Sequence, residues 1–197
     1  VLILDFGGQY NLLIARRVRQ SGVFCEIKSY RTPLTEIKAF SPDAVILTGG
    51  PATVFDGGAP TIDKSVFEMG VPVLGICYGM QLMVYTLGGD CRKADKREYG
   101  KVLLNHVSSP LFKDVPDTSV CWMSHGVEVD SLPEGFKTTA TSDYCGFCAV
   151  ENEEKKLYGV QFHPEVVHTE YGTKILENFL FEVCGLEKEW KMSSYVD

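Results

Sequence analysis

Three short apolar runs, each met by glycine, constrain the fold of this chain more than any other feature. Val1–Phe6 stops at Gly7-Gly8. Ala44–Leu47 runs into Thr48-Gly49-Gly50-Pro51. Val71–Ile76 leads through Gly75 to Cys77-Tyr78-Gly79. None of the three alternates with polar residues, so each reads as a strand covered on both faces. Helical segments lie between and after them. Tyr10–Arg19 has Leu12, Leu13, Ala15 and Val18 as its expected buried positions, Thr35–Phe40 and Asp63–Met69 are short, and Tyr78–Leu87 is stopped by Gly88-Gly89. Phe24–Tyr30 alternates and adds another strand. This strand–helix rhythm predicts a parallel sheet with helices on each side.

From Cys91 to Gln161 strands dominate: Lys101–Asn105, Ser119–Met123, Lys137–Thr141, Phe147–Val150 and Leu157–Phe162, with Glu151–Lys156 as a charged hairpin loop. A last helix carries Ile175, Leu176, Phe179, Leu180 and Val183 on one face, with Gly185 after it. The expected fold class is therefore α/β. It is a single three-layer domain over residues 1–186, with a largely parallel central sheet flanked by helices and an antiparallel or mixed extension. Residues 187–197 read as a polar tail or the start of a linker.

Charge and cysteine usage narrow the function. With 19 Lys+Arg against 26 Asp+Glu the net charge is −7, and no run of Lys/Arg supplies the basic face that nucleic acid or an anionic membrane requires. Val1–Leu4 is too short for a signal peptide and no basic segment precedes it, so a cytoplasmic protein is expected, with a processed or trimmed start in place of Met. Seven cysteines without a secretory signal are expected to stay reduced. Residues 71–89 hold no charge, but Pro72, Gln81 and four glycines make this a strand, a turn and a helix rather than a membrane span.

The chemistry concentrates at Gly75-Ile76-Cys77-Tyr78-Gly79. A sharp strand-to-helix turn puts its central residue in a strained conformation, and the flanking glycines remove Cβ atoms that would collide. The thiol then stands above the strand ends, facing the positive N-terminus of a helix, which favours a thiolate. On its own the pattern also fits a buried cysteine at a strand terminus. The histidines decide between the two. Of His106, His125, His163 and His168, only His163 has an acid placed by local geometry, in Phe162-His163-Pro164-Glu165 after a strand. Residues two apart in extended chain point the same way, and Pro164 stiffens the segment. Cys77 as nucleophile, His163 as base and Glu165 as orienting group form a triad. An N–H from Gly49-Gly50-Pro51 and that of Tyr78 could bind a developing oxyanion. All of these groups lie at carboxyl ends of strands, where ligands bind in open α/β sheets.

Gly49-Gly50-Pro51, Gly75-Ile76-Cys77-Tyr78-Gly79-Met80-Gln81 and Phe162-His163-Pro164-Glu165, in this order over nearly the whole chain, resemble the class I (triad-type) glutamine amidotransferase family. Asp5-Phe6-Gly7-Gly8-Gln9-Tyr10, Tyr78 after the cysteine, and His168-Thr169-Glu170-Tyr171-Gly172 resemble the branch of that family that serves GMP synthesis. Gly8 departs from that branch, which often has Ser there, and no functional weight attaches to the difference. The resemblance implies that Cys77 attacks the side-chain amide of L-glutamine. His163 would take the thiol proton and return it to the leaving ammonia, and Glu165 would orient His163. The N–H groups of Gly50 and Tyr78 would hold the oxyanion, and water would hydrolyse the thioester. Gly49, Gln81 and the Ser124-His125-Gly126-Val127 segment would contact the substrate, the segment largely through its backbone. The implied partner is a GMP synthase ATP-pyrophosphatase domain or subunit, which would use ATP and Mg to aminate XMP. No Ser-Gly-Gly-rich phosphate loop occurs in this sequence, so the chain itself is expected to hold no cofactor and no metal.

Two other readings stay open: a different cysteine hydrolase on a similar sheet, such as a peptidase or deglycase-like enzyme, and a catalytically silent regulatory module. An amidotransferase subunit of another biosynthetic pathway is a third. Cys145-Gly146-Phe147-Cys148 has no second pair to complete a zinc site and reads as part of a strand whose cysteines face opposite sides. Cys25, Cys91, Cys121 and Cys184 read as small core or surface residues. Arg16-Arg17 and residues 92–97 read as solvated faces with some scope for partner contact.

Overall fold

The computed structural model describes residues 1–189. Its strands are β1 (Leu2–Asp5), β2 (Glu26–Ser29), β3 (Val45–Leu47), β4 (Val73–Ile76), β5 (Asp90–His106), β6 (Thr118–Ser131), β7 (Lys137–Thr141), β8 (Ala149–Asn152) and β9 (Leu157–Val160). They form one sheet in the order β2-β1-β3-β4-β9-β8-β7-β5-β6. Its first five members are parallel neighbours, and from β9 outward every pairing is antiparallel.

The doubly apolar runs sit where both faces are covered. Ile3, Ile46 and Leu74 point to one side, against Ile14, Ala15 and Val18 of helix α1 (Asn11–Gln20) and Ile175, Phe179 and Leu180 near the C-terminus. Leu2, Leu4, Val45, Leu47 and Val73 point to the other. There they meet Ile37 of α2 (Leu34–Phe40) and Met80, Met83 and Val84 of α3 (Tyr78–Thr86). The alternation of Cβ along each strand thus divides an all-apolar run between two cores, which gives the three layers. Helix α3 is buried from Tyr78 to Val84, so the charge-free stretch is a central strand joined to an inner helix. No helix among the described residues is long and apolar enough to cross a membrane.

Several expectations need correction. Leu12 is 79% exposed, because the buried face of α1 is centred on Ile14, Ala15 and Val18. The segment around Lys64–Glu68 is a 3-10 turn capped by the Asp63 side chain, not an α-helix. The two strands expected at 101–105 and 119–123 are the ends of a long ribbon, β5 with β6, whose register shifts between Lys93 and Glu98. Residues 92–97 lie in this strand and keep the solvated face expected of them: all but Ala94 are exposed. Strand β8 extends to Asn152, taking Glu151 out of the expected hairpin loop. The last helix is α-helical only over α4 (Gly172–Glu177) and continues as a π-helix over Asn178–Val183. Cys145 and Cys148 lie in and beside a bend before β8, both buried, with the Cys148 thiol 3.5 Å from the Cys145 carbonyl. Of the expected tail, residues 190–197 lie outside the described residues.

Candidate active site

Parallel register brings the motifs together. Leu4 pairs with Leu47, Leu47 with Gly75, and Ile76 with Val160. The residues that follow these positions, Phe6, Gly49, Cys77 and Gln161, therefore share one edge of the sheet. The Cys77 N–H donates to the Val160 carbonyl at 2.8 Å, tying the turn after β4 to the end of β9. The edge opens into a cavity of about 510 Å³, of the size that takes a small metabolite. Its lining includes Gly49, Gly50, Cys77, Tyr78, Gln81, Ser124, Gly126, Val127, His163 and Glu165.

Cys77 has φ +53° and ψ −110°, a conformation that costs on the order of 1–3 kcal/mol for a residue with a side chain. The neighbouring chain over-determines it. A Cβ on Gly75 would lie 2.6 Å from the backbone of Gly79, and one on Gly79 would overlap the Leu47 carbonyl. Strand and helix can approach this closely only without those side chains. The thiol lies 3.9 Å from the Ser124 carbonyl and accepts a hydrogen bond from the Gln161 amide at 3.5 Å.

His163 and Glu165 face each other across a turn at Pro164-Glu165, not along the expected extended chain, with Nδ1 2.7 Å from Glu165 Oε1, which leaves Nε2 to Cys77. Thr169, of the His168–Gly172 motif, accepts from the Trp122 N–H and donates to the His163 carbonyl at 2.6 Å. Arg17, expected on a solvated face, donates from Nε to the Glu165 carbonyl at 3.1 Å. The Tyr10 ring packs edge-on against the imidazole. Gly172 is required by packing, because a Cβ there would overlap the Pro164 carbonyl.

Burial alone would push the His163 imidazolium down. Its hydrogen bonds to Cys77 and Glu165, with the charges of both, outweigh that and hold it up at about 10. A raised histidine contributes stability that is complete below its unfolded value near 6.5 and is lost as pH climbs through the folded value. Stability of the wild type relative to His163→Gln should thus decline steadily from pH 6.5 to about 10. Urea unfolding of both proteins across that range measures it, and parallel curves would show that the imidazole is not held in this way.

The other expected residues have distinct placements. Tyr78 is the first residue of α3, so its N–H is among those with no intrahelical acceptor. Gly50 lies where a Cβ would overlap the Phe6 carbonyl, and Gly49 where one would sit 3.2 Å from His163 Cε1 and 3.6 Å from Cys77 Cβ. Gly8 packs on the Gly49 carbonyl with no room for a Cβ, a structural reason for glycine that the sequence did not reveal. Ser124, His125, Gly126 and Val127 all line the cavity, and the His125 imidazole is paired with Glu98. Gln81 lines the cavity too, but its amide nitrogen is committed to the Val127 carbonyl at 2.9 Å and to Gln161 Oε1 at 3.1 Å. Through this nitrogen it braces the pocket wall. Lys93, Arg97 and Tyr99 also line the cavity, brought there by the irregular middle of β5.

Gln161 is the residue that motif reading missed. It is fully buried, and it links the Gln81 brace to the Cys77 sulfur. A donor aimed at sulfur suits a nucleophile that carries negative charge, and hydrogen bonds to charged groups contribute about 1.5–3 kcal/mol. Replacing Gln161 by Met keeps the volume and removes the donor. The expected loss in kcat/KM is about 10–100-fold with an unchanged fold, read by steady-state kinetics and circular dichroism.

Likeness to known proteins gives the family. The profile of the family described as Glutamine amidotransferase class-I matches residues 2–183. GMP synthase [glutamine-hydrolyzing] of Caldicellulosiruptor saccharolyticus is 54% identical over 198 residues, covering 100% of this chain and 39% of that protein. The same-named protein of Acetivibrio thermocellus is 55% identical with the same coverage. The chain thus spans about two-fifths of the length of these relatives. Among solved structures, a protein named as a GMP synthase subunit from Thermoplasma acidophilum superposes with a TM-score of 0.85 at 29% identity, covering 93% of this chain and 92% of that one. A glutamine amidotransferase from Thermotoga maritima shares the fold, with a TM-score of 0.72 at 20% identity over 94% and 99% of the two chains. This chain belongs to the class I glutamine amidotransferase family.

Proposed function

We propose that the chain hydrolyses the side-chain amide of L-glutamine to glutamate and ammonia, and that the ammonia is used by a GMP synthase ATP-pyrophosphatase domain or subunit to convert XMP to GMP. The observation that carries the reading is the strained Cys77 beside a His163–Glu165 pair 2.7 Å apart. In the first step the Cys77 sulfur bonds to the amide carbon while His163 Nε2 holds the proton that the thiol has given up. The carbonyl oxygen takes the negative charge, and the N–H groups of Gly50 and Tyr78 are the donors proposed to hold it. Collapse of this intermediate breaks the carbon–nitrogen bond. His163 returns the proton to the departing nitrogen, which leaves as ammonia and a glutamyl thioester behind it. Water, losing a proton to His163, attacks the thioester, and glutamate and the thiol are released. Glu165 keeps the imidazole oriented throughout.

The glutamine backbone needs recognition of an ammonium and a carboxylate. Gly49 and the Ser124–Val127 segment are proposed to supply backbone partners, and Lys93 and Arg97 positive charge for the α-carboxylate. The GMP part of the reading rests on the 54–55% identity with relatives of that name. ATP and Mg would belong to the synthetase part.

The test is glutamate release from glutamine by this chain alone, and with a GMP synthase ATP-pyrophosphatase partner, Mg-ATP and XMP. The expected result is turnover that rises with the loaded partner. Folded protein with no turnover in any mixture would overturn the enzymatic reading, and turnover indifferent to the loaded partner would overturn the assignment to GMP synthesis.

A further inference from the structure

Behind the Ser124–Val127 wall lies a cluster that the hydrolysis does not use. Glu98 of β5, His125 of β6 and Cys145 of the bend before β8 are all buried, and each offers one ligand atom within 4.8 Å of the others. Glu98 and His125 side chains are 3% and 2% exposed.

The histidine geometry demands a cation. His125 Nδ1 lies 3.1 Å from the Val127 carbonyl, which can only accept, so Nδ1 carries a hydrogen. Nε2 faces Glu98 Oε1 at 3.3 Å. A neutral imidazole would then point a lone pair at a carboxylate. Something positive, a proton or a metal ion, belongs between them. The distance helps to choose. The catalytic His163–Glu165 pair in the same chain closes to 2.7 Å, as charge-assisted hydrogen bonds do. A separation of 3.3 Å is instead about the edge of a tetrahedron whose metal–ligand bonds are roughly 2.0–2.1 Å. The Cys145 sulfur, paired with the Cys148 thiol, is a third ligand atom within the same 4.8 Å.

We propose that Glu98, His125 and Cys145 form a buried site for a thiophilic divalent cation, zinc above all. A mixed oxygen, nitrogen and sulfur set suits zinc, and the thiolate disfavours calcium and magnesium. Charge balances: the ion enters as two protons leave, one from the Cys145 thiol and one from the His125–Glu98 pair. The outer contacts are already in place. Val127 orients the imidazole through Nδ1, and the Ser142 hydroxyl lies 2.9 Å from the other oxygen of Glu98, Oε2. The bend that carries Cys145 exposes Asp143, Tyr144 and Gly146 on either side of it. The Cys-x-x-Cys motif thus contributes one ligand, and its partners come from strands about 20 and 47 positions away in sequence, which is why spacing alone concealed the site.

The test uses the Cys77→Ala protein, so that the catalytic thiol cannot bind the probe. Zinc is measured by elemental analysis after dialysis against micromolar zinc. Cobalt(II) is titrated in parallel, and its sulfur-to-metal charge-transfer absorption is recorded. One zinc per chain and a cobalt absorption lost in Cys145→Ser but kept in Cys184→Ser are expected. Glu98→Gln, which leaves all cysteines intact, should weaken zinc binding more than about tenfold; it serves as the second variant if Cys145→Ser does not fold. Absence of stoichiometric metal in the folded protein, or a cobalt absorption indifferent to Cys145 and Glu98, would overturn the proposal and leave a proton as the buried cation. Neither readout depends on glutamine hydrolysis.

Discussion

Replacing Cys77 by Ala should lower glutamate release by at least about 10⁴-fold, as loss of the nucleophile does in other covalent hydrolases. The strain at this position makes a second outcome informative. Cys77 holds φ +53°, where alanine still carries a Cβ and glycine does not. Cys77→Gly should be as inactive as Cys77→Ala yet more stable by about 1 kcal/mol, since it relieves part of a 1–3 kcal/mol penalty. Steady-state glutamate release and urea unfolding on the same preparations read both effects. Equal stability of the two variants would mean that the elbow is unstrained. Residual turnover within tenfold of wild type would remove Cys77 from the chemistry altogether.

Legibility followed the range of the forces involved. The central strands were readable because burial on both faces leaves no polar residue in the run: Leu2, Ile3, Leu4, Val45, Ile46 and Leu47 are all fully buried. The grouping of Cys77, His163 and Glu165 was readable because each lies inside a local motif whose geometry is set within five residues. What escaped reading depends on contacts between distant segments. Five of the six residues 92–97 are charged, and only the pairing of β5 with β6 and its register shift put Lys93 and Arg97 into the cavity. Glu98 and His125 are buried polar side chains, and the partners that satisfy Glu98, His125 and Ser142, lie 27 and 44 positions from it. Gln161 has no periodic signature; it matters because β9 runs parallel to β4 and ends beside Cys77. Leu12 was misplaced for the opposite reason. Its type suggested burial, while the turn of α1 directed it outward.

Gly79→Ala tests whether the elbow is held by close backbone approach. Intrinsic propensity favours the change, since alanine inside a helix is worth about 0.5–1 kcal/mol over glycine. Packing opposes it. The new Cβ would overlap the Leu47 carbonyl and lie 2.7 Å from the Leu47 Cβ. Leu47 cannot give way, because it is fully buried in a strand bonded on both sides, to β1 and to β4. The packing term should win, with a loss of about 3 kcal/mol or more, or a Tm lower by roughly 6–12 °C for a chain of this size. Gly57→Ala is the control: nothing lies within 4 Å of its Cβ position, and it should be neutral or slightly stabilising. Any surviving Gly79→Ala protein should also lose turnover, because helix α3 can escape the collision only by moving away from β3, taking the Tyr78 N–H and Cys77 with it. A Gly79→Ala protein as stable and active as wild type would mean that the turn tolerates a wider separation of strand and helix. The strain at Cys77 would then have to be maintained by the Val160 hydrogen bond alone.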